Sequence, residues 1–158
     1  MSVEQRLREL GLVLPEVTKV PDGVLLPFLW VRVVGKRVTI SGHGPTLPDG
    51  SIAGPFGKVG RDISLEQGYE AARLTALGML ANLRRELGSL DHVTWLRVFG
   101  MVNAGPGFQS MPTVINGFSD LILLLFGPER GQHSRSAIGV AELPFGIPVE
   151  IEAEVVLD

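Results

Sequence analysis

The chain contains no cysteine, which removes at once a disulfide framework, a thiolate nucleophile and a cysteine-ligated metal. It is also short of positive charge. Fourteen Lys and Arg against seventeen Asp and Glu leave a formal net charge of −3, with a pI near 5.6. Nucleic-acid binding needs basic clusters that displace counterions from phosphates, and only Arg84-Arg85 cluster here. Long apolar runs are missing as well, the longest being Leu121 to Phe126, far short of a membrane span. The opening MSVEQRLREL is charged throughout and lacks the apolar centre of a signal peptide. Neither nucleic acid nor membrane is expected as a partner, and a cytoplasmic location is the default.

Other chemistries are excluded by spacing. His43, His92 and His133 are scattered singly, without the intervals of a metal site, so no metal is expected. The glycines of Gly42-His-Gly44 and Gly57-Lys-Val-Gly60 lack the spacing and the strand-loop-helix context of a phosphate cradle. Ser134 and Ser136 have no Ser-His-Asp signature around them.

What remains is a globular chain of 158 residues, 45% of them hydrophobic. That length predicts one domain spanning 1–158, with an N-terminal helix and lead-in over 1–23 and a core over about 24–158. The apolar content is high for a monomer and predicts a subunit interface.

Apolar spacing at Val3, Leu7 and Leu10 predicts a short helix closed by Gly11. Val24 to Val34 and Lys36 to Ser41, rich in Val, Ile and Leu, predict two strands joined at Gly35. Six glycines and three prolines make 42–60 a long irregular connection, expected to lie near the site. Ser64 with Gln67 forms a capping box for a helix whose Leu65, Tyr69, Ala72, Ala76, Leu80, Leu83 and Leu87 recur at three and four, with Gly88 ending it. Val93 to Asn103 reads as a strand, and Met111 to Phe126 as a second long helix stopped by Gly127-Pro128. Because Leu121 to Phe126 is apolar all round, this helix should be covered on more than one face. Ser136 to Leu143 and Val149 to Leu157 close the chain as two strands. In the last, Val149, Ile151, Ala153, Val155 and Leu157 share one face, opposite Glu150, Glu152 and Glu154. The order predicts an α+β fold, two long helices on one face of a mixed sheet plus a short N-terminal helix.

Chemistry concentrates in the last quarter. Arg135 offers a rigid fork of donors that matches a carboxylate in two places, and a glutamate on a neighbouring strand can hold a water above the same small acid. Taken alone, Arg135 could equally be a solvated strand residue, and the glutamates the wet face of a half-buried strand.

The segments Ile40-Ser-Gly-His-Gly-Pro45, Asn116 in the second long helix, Arg135-Ser-Ala-Ile-Gly-Val-Ala-Glu-Leu-Pro144 and Val149-Glu-Ile-Glu152, in this order of elements, resemble the Rid (YjgF) family of reactive-intermediate deaminases, also labelled endoribonuclease L-PSP or translation inhibitors. The resemblance runs from about Pro27 to the C-terminus, and the N-terminal helix and Gly/Pro-rich loop look like features of a longer subgroup. It implies a chorismate-mutase-like fold, a homotrimer and cofactor-free hydrolysis of 2-imino and enamine acids, such as 2-aminoacrylate, to 2-keto acids and ammonia in clefts between subunits. It implies that Arg135 clamps the substrate carboxylate, that Glu150 positions the attacking water and that Asn116 lies near the site. Ala137 stands where the family commonly has a cysteine, though its backbone N–H could still donate, and Phe28 where it has a tyrosine. His133, two residues before Arg135, could line the cleft as a proton shuttle or serve structurally. The competing readings are a non-catalytic trimer that binds small 2-keto acids and, less favoured by charge, an RNA-cleaving protein.

Overall fold

Two capping boxes start the helices that the sequence marks most clearly. In the computed structural model, which describes residues 1–158, Ser2 Oγ accepts from Gln5 N at 3.1 Å and Gln5 Oε1 accepts from Ser2 N at 2.9 Å, opening α1 (Val3–Glu9). Ser64 and Gln67 repeat this at the head of α2 (Leu65–Leu87). Each box satisfies donors that the first turn leaves unpaired. Gly88, left-handed at φ 78°, ends α2 as expected.

The strands are β1 (Val31–Val34), β2 (Arg37–His43), β3 (Val93–Asn103), β4 (Ser134–Val140) and β5 (Val149–Leu157). They form one sheet in the order β1-β2-β5-β3-β4, with β3 and β4 parallel and every other pair antiparallel. The parallel pair is made possible by the crossover through α3 (Met111–Gly131). The α+β class, the element order and the chorismate-mutase-like arrangement are those expected.

Several boundaries differ from the sequence reading, β2 among them, which runs on through Gly42 and His43 of the expected loop. The strand expected over Val24 to Val34 is confined to Val31–Val34, because β2 offers partners only from Arg37 to Ile40 and the segment before it carries Pro27. The strand expected over Ser136 to Leu143 starts earlier, at Ser134, where pairing with Arg97 of β3 begins. The second long helix is kinked rather than ended at Gly127, whose φ of 73° and ψ of 176° break it before a last turn reaches Gly131.

Helices α2 and α3 cover one sheet face. Their backbones meet at Gly117, where a Cβ would lie 2.0 Å from the carbonyl oxygen of Tyr69. Beneath them the core gathers Met79, Leu80, Leu83, Trp95, Val98, Ile115, Phe118, Ile122, Leu125 and Ile151, all fully buried. The covering of Leu121 to Phe126 is partial: Leu121, Ile122, Leu125 and Phe126 are buried, whereas Leu123 and Leu124 are 38% and 56% exposed. By length and composition α3 could cross a membrane, but half of it is buried in this core. α1 docks by burying Val3 and Leu7, by Arg6 Nη1 donating to Leu125 O at 2.8 Å and by Val3 N donating to Asp91 Oδ1 at 2.7 Å.

Candidate active site

Arg135 sits on β4, an edge strand, in register with the buried Val98 of β3, which in turn faces Ala153 of β5. Its side chain therefore points to the helix-covered face. There it meets α3: Nη1 donates to Asn116 Oδ1 at 2.9 Å and to Ser119 Oγ at 3.1 Å, and Nη2 donates to Pro112 O at 3.2 Å. Pro112, Asn116 and Ser119 are spaced by four and three, so one stripe of the helix receives the guanidinium. A guanidinium has five donors, and these bonds leave Nε–H and one Nη2–H without a partner. No carboxylate pairs with it.

His133 belongs to the same network. Its Nδ1–H donates to Gly131 O at 2.7 Å, so Nε2 is the acceptor for the Ser119 hydroxyl at 2.9 Å. Burial first, then the charge of Arg135, lowers its pKa. With both ring nitrogens hydrogen-bonded, His133 holds the Ser119 hydroxyl that accepts from Arg135. Ala137 follows Arg135 on the same face, packed against the core.

Glu150 lies elsewhere. On β5 it alternates with the buried Val149 and Ile151, and it pairs with Met101, which faces Ile138 of β4, along the open side of the sheet. Its carboxyl rests on Gly42, where a Cβ would come within 2.5 Å of Oε2. It makes no hydrogen bond or ion pair in the chain. Burial first, then the Glu152 charge, raises its pKa above the ordinary carboxylate range.

Beside Glu150 opens a cavity of about 230 Å³ that includes Phe28, Trp30, His43, Ile52, Phe145 and the lead-in from Thr18 to Val24. Phe28 stacks edge-on against Trp30 at 5.7 Å, and Trp30 leans on the His43 ring at 4.9 Å. His43 is 3% exposed. Its Nδ1–H donates to Ser41 O at 2.6 Å, and its Nε2 accepts from Asn82 Nδ2 at 2.8 Å. Asn82 Oδ1 accepts from Arg85 Nη2 at 2.7 Å, and Arg85 Nη1 donates to Pro15 O at 3.1 Å. Burial, against the opposing bond to Ser41, pushes the His43 pKa down to about 4.

The six candidates thus fall into two groups within one chain. Arg135, Asn116, His133 and Ala137 lie on the helix face or its rim, Glu150 and Phe28 on the open side. Gly42 and His43 at the end of β2, and Gly44 to Thr46 just after it, join the Glu150 group. Sequence reasoning missed Ser119, Trp30 and Asn82. Ser119, three residues beyond Asn116 on the same helix stripe, was the one that spacing could have raised. No three His, Asp or Glu converge as metal ligands.

This fold has relatives. A family model described as "YjgF/chorismate_mutase-like, putative endoribonuclease" matches residues 4–147, and the chain belongs to this YjgF/Rid family. Protein TCP17 of Trypanosoma cruzi is 41% identical over 128 residues, covering 78% of this chain and 77% of that protein. The structure of Atu1372 from Agrobacterium tumefaciens, a protein of unknown function, is 37% identical and superposes with a TM-score of 0.86 over 99% of this chain and 92% of that one. A protein of Shewanella oneidensis MR-1 described as a putative endoribonuclease is 31% identical, with a TM-score of 0.87 over 99% of this chain and the whole of that one.

Proposed function

We propose that the protein is a cytoplasmic, cofactor-independent homotrimer that hydrolyses 2-imino or enamine acids to 2-keto acids and ammonia, with each site shared between two subunits. The observation that carries this reading is the separation of Arg135 and Glu150. Each is a charged group left without a charged partner, and the sheet stands between them. They can act on one small molecule only if Arg135 of one subunit faces Glu150 of another. β4 as an edge strand and the half-exposed Leu123 and Leu124 supply surface for such contacts.

The chemistry asked of the site is modest. Arg135 would take the substrate carboxylate on its two unpartnered donors, held in place by Asn116, Ser119 and Pro112 O. Starting from the protonated imine, Glu150 would accept a proton from water as its oxygen attacks C2, giving a neutral carbinolamine, and return it to nitrogen. As the C–N bond breaks and the C=O bond forms, the hydroxyl proton would pass to Glu150 and on to the departing ammonia, leaving the keto acid and ammonium. A carboxyl whose pKa is raised by burial is better suited to both halves of that exchange. Imines hydrolyse unaided in water, so orientation and one placed base suffice.

The alternative is a trimer that binds small 2-keto acids without turnover, and it draws on two residues: Phe28 brings no hydroxyl to the cavity and Ala137 brings no thiol to the Arg135 rim. RNA cleavage is opposed by the net charge of −3. A serine or threonine dehydratase coupled to keto-acid and ammonia release separates the first two. Rate enhancement lost in Arg135→Ala supports hydrolysis; keto-acid binding with no enhancement supports the alternative. Arg135→Ala binding as tightly as the parent would sink both.

A further inference from the structure

The cavity beside Glu150 is far larger than a three-carbon substrate needs. Its volume of about 230 Å³ exceeds the roughly 150 Å³ of a cavity that takes up benzene. Its walls are largely apolar, and besides Pro45 and Ile52 of the long loop they draw on three further parts of the chain. Val20 and Val24 belong to the lead-in, Phe28 and Trp30 to the approach to β1, and Phe145 and Ile147 to the turn before β5.

The lead-in is built into the wall rather than lying loose on it. Glu16 N donates to Pro48 O at 2.9 Å, and Lys19 N donates to Gly50 O at 2.9 Å. Gly50 accommodates the contact, since a Cβ there would lie 2.2 Å from Val17 O. Arg85 holds the same segment through Pro15 O. The lead-in and the long loop together thus enclose an apolar recess whose remaining boundary includes the Glu150 carboxyl.

We propose that this recess receives the substrate's side chain, so that the preferred substrates are 2-imino acids bearing a large apolar group of about phenyl or isobutyl size. The inference rests on the hydrolase reading above and adds a substrate class to it. With the carboxylate on Arg135 and C2 beside Glu150, the side chain is the only part of such a molecule left to enter the recess. A single methylene would leave it almost empty. Site discrimination of about 10-fold or more per buried methylene is ordinary for a hydrophobic pocket.

Calorimetry on the intact assembly with phenylpyruvate and with pyruvate tests this, alongside hydrolysis of the imines that an amino-acid oxidase, with catalase present, generates from phenylalanine and from alanine. Phenylpyruvate should bind at least about 10-fold more tightly than pyruvate, and the phenylalanine-derived imine should be turned over with the higher kcat/KM. Val24→Trp, which fills the recess from the lead-in, should abolish this preference while leaving pyruvate affinity within about twofold. Val20→Trp on the more exposed part of the lead-in gives a second filling variant should the first perturb folding. Equal affinities for the two acids, or a filling variant that weakens both alike, would overturn the proposal and leave the hydrolase reading standing. If neither acid binds and neither imine is hydrolysed, that reading fails and this one with it.

Discussion

Arg135 and Glu150 stand on opposite faces of the same sheet. Arg135 lies in the row with Val98 and Ala153 beneath α3, and Glu150 in the row with Met101 and Ile138 on the open side. The alternation of strand side chains makes this unavoidable for residues three apart across the register, Arg135 and Ile138. Each group is held ready by its own surroundings: the guanidinium by three acceptors of α3, the carboxyl by contact with Gly42. A shared site therefore implies a shared assembly.

Glu150 costs the free chain stability when it is charged. Its folded pKa is raised, by burial first and Glu152 second, so the folded state binds the proton more tightly than the unfolded chain. The contribution of the neutral form is fully present below the ordinary carboxylate range and is lost as pH rises through the raised value. Glu150→Gln should accordingly raise unfolding stability at pH 7, and Tm with it, the gain staying below about 1 kcal/mol because the carboxyl is partly solvated. The gain should vanish below about pH 4. Thermal melts across pH 3.5 to 7.5 read it, and equal melts throughout, or a lower Tm at pH 7, would contradict it.

His43 works in the opposite sense. Folding lowers its pKa from 6.5 to about 4, chiefly through burial. Stability tied to the neutral ring is present above the unfolded value and is lost as pH falls from about 6.5 toward 4, on the order of 3 kcal/mol in all. His43→Gln should be less stable at pH 7, having lost the bonds to Ser41 O and Asn82. It should also show a flatter acid limb in denaturant titrations over that range. An acid limb as steep as the parent's would mean that another group drives it.

Gly117→Ala sets two effects of known sign against each other. Alanine favours a helix interior over glycine by about 1 kcal/mol, but its Cβ would sit 2.0 Å from the Tyr69 carbonyl oxygen. That neighbour is backbone of α2 and can yield only by separating the helices, an overpacking that costs about 1–3 kcal/mol or more. The clash should win, giving net destabilisation of about 1–2 kcal/mol by denaturant unfolding. A stabilised variant would show that α2 and α3 do not approach so closely.

The sequence announces what is encoded locally. The Ser64–Gln67 box and Gly88 bracket α2 to the residue, and the alternation of Val149 to Leu157 appears unchanged in β5. What depended on partners was less readable. Val24 and Leu26 have strand-forming neighbours in sequence but no opposing strand in space, so they line a cavity instead, while Leu25 between them is exposed. The start of β4 was displaced for the same reason, since pairing with Arg97 rather than composition sets it. Arg135, Glu150 and Asn116 were legible as candidates through the resemblance. Their division between two sheet faces was not, because alternation within a strand does not say which face the helices will cover. Ser119 and Asn82 acquire their roles only when folding brings histidine nitrogens to them.

The central claim is that Arg135 of one subunit and Glu150 of another serve one site, and mixing two inactive proteins tests it most directly. Arg135→Ala and Glu150→Gln should each lose imine hydrolysis while remaining trimeric by light scattering. Unfolded together in equal amounts and refolded, they should form mixed trimers, each with one cleft in which an intact Arg135 meets an intact Glu150. Random assembly then restores about a quarter of the parent's activity, whereas separately refolded samples combined afterwards restore none. Mixed trimers that form, as native mass spectrometry would record, yet stay inactive would contradict a site shared between subunits, as would a chain that is monomeric and fully active.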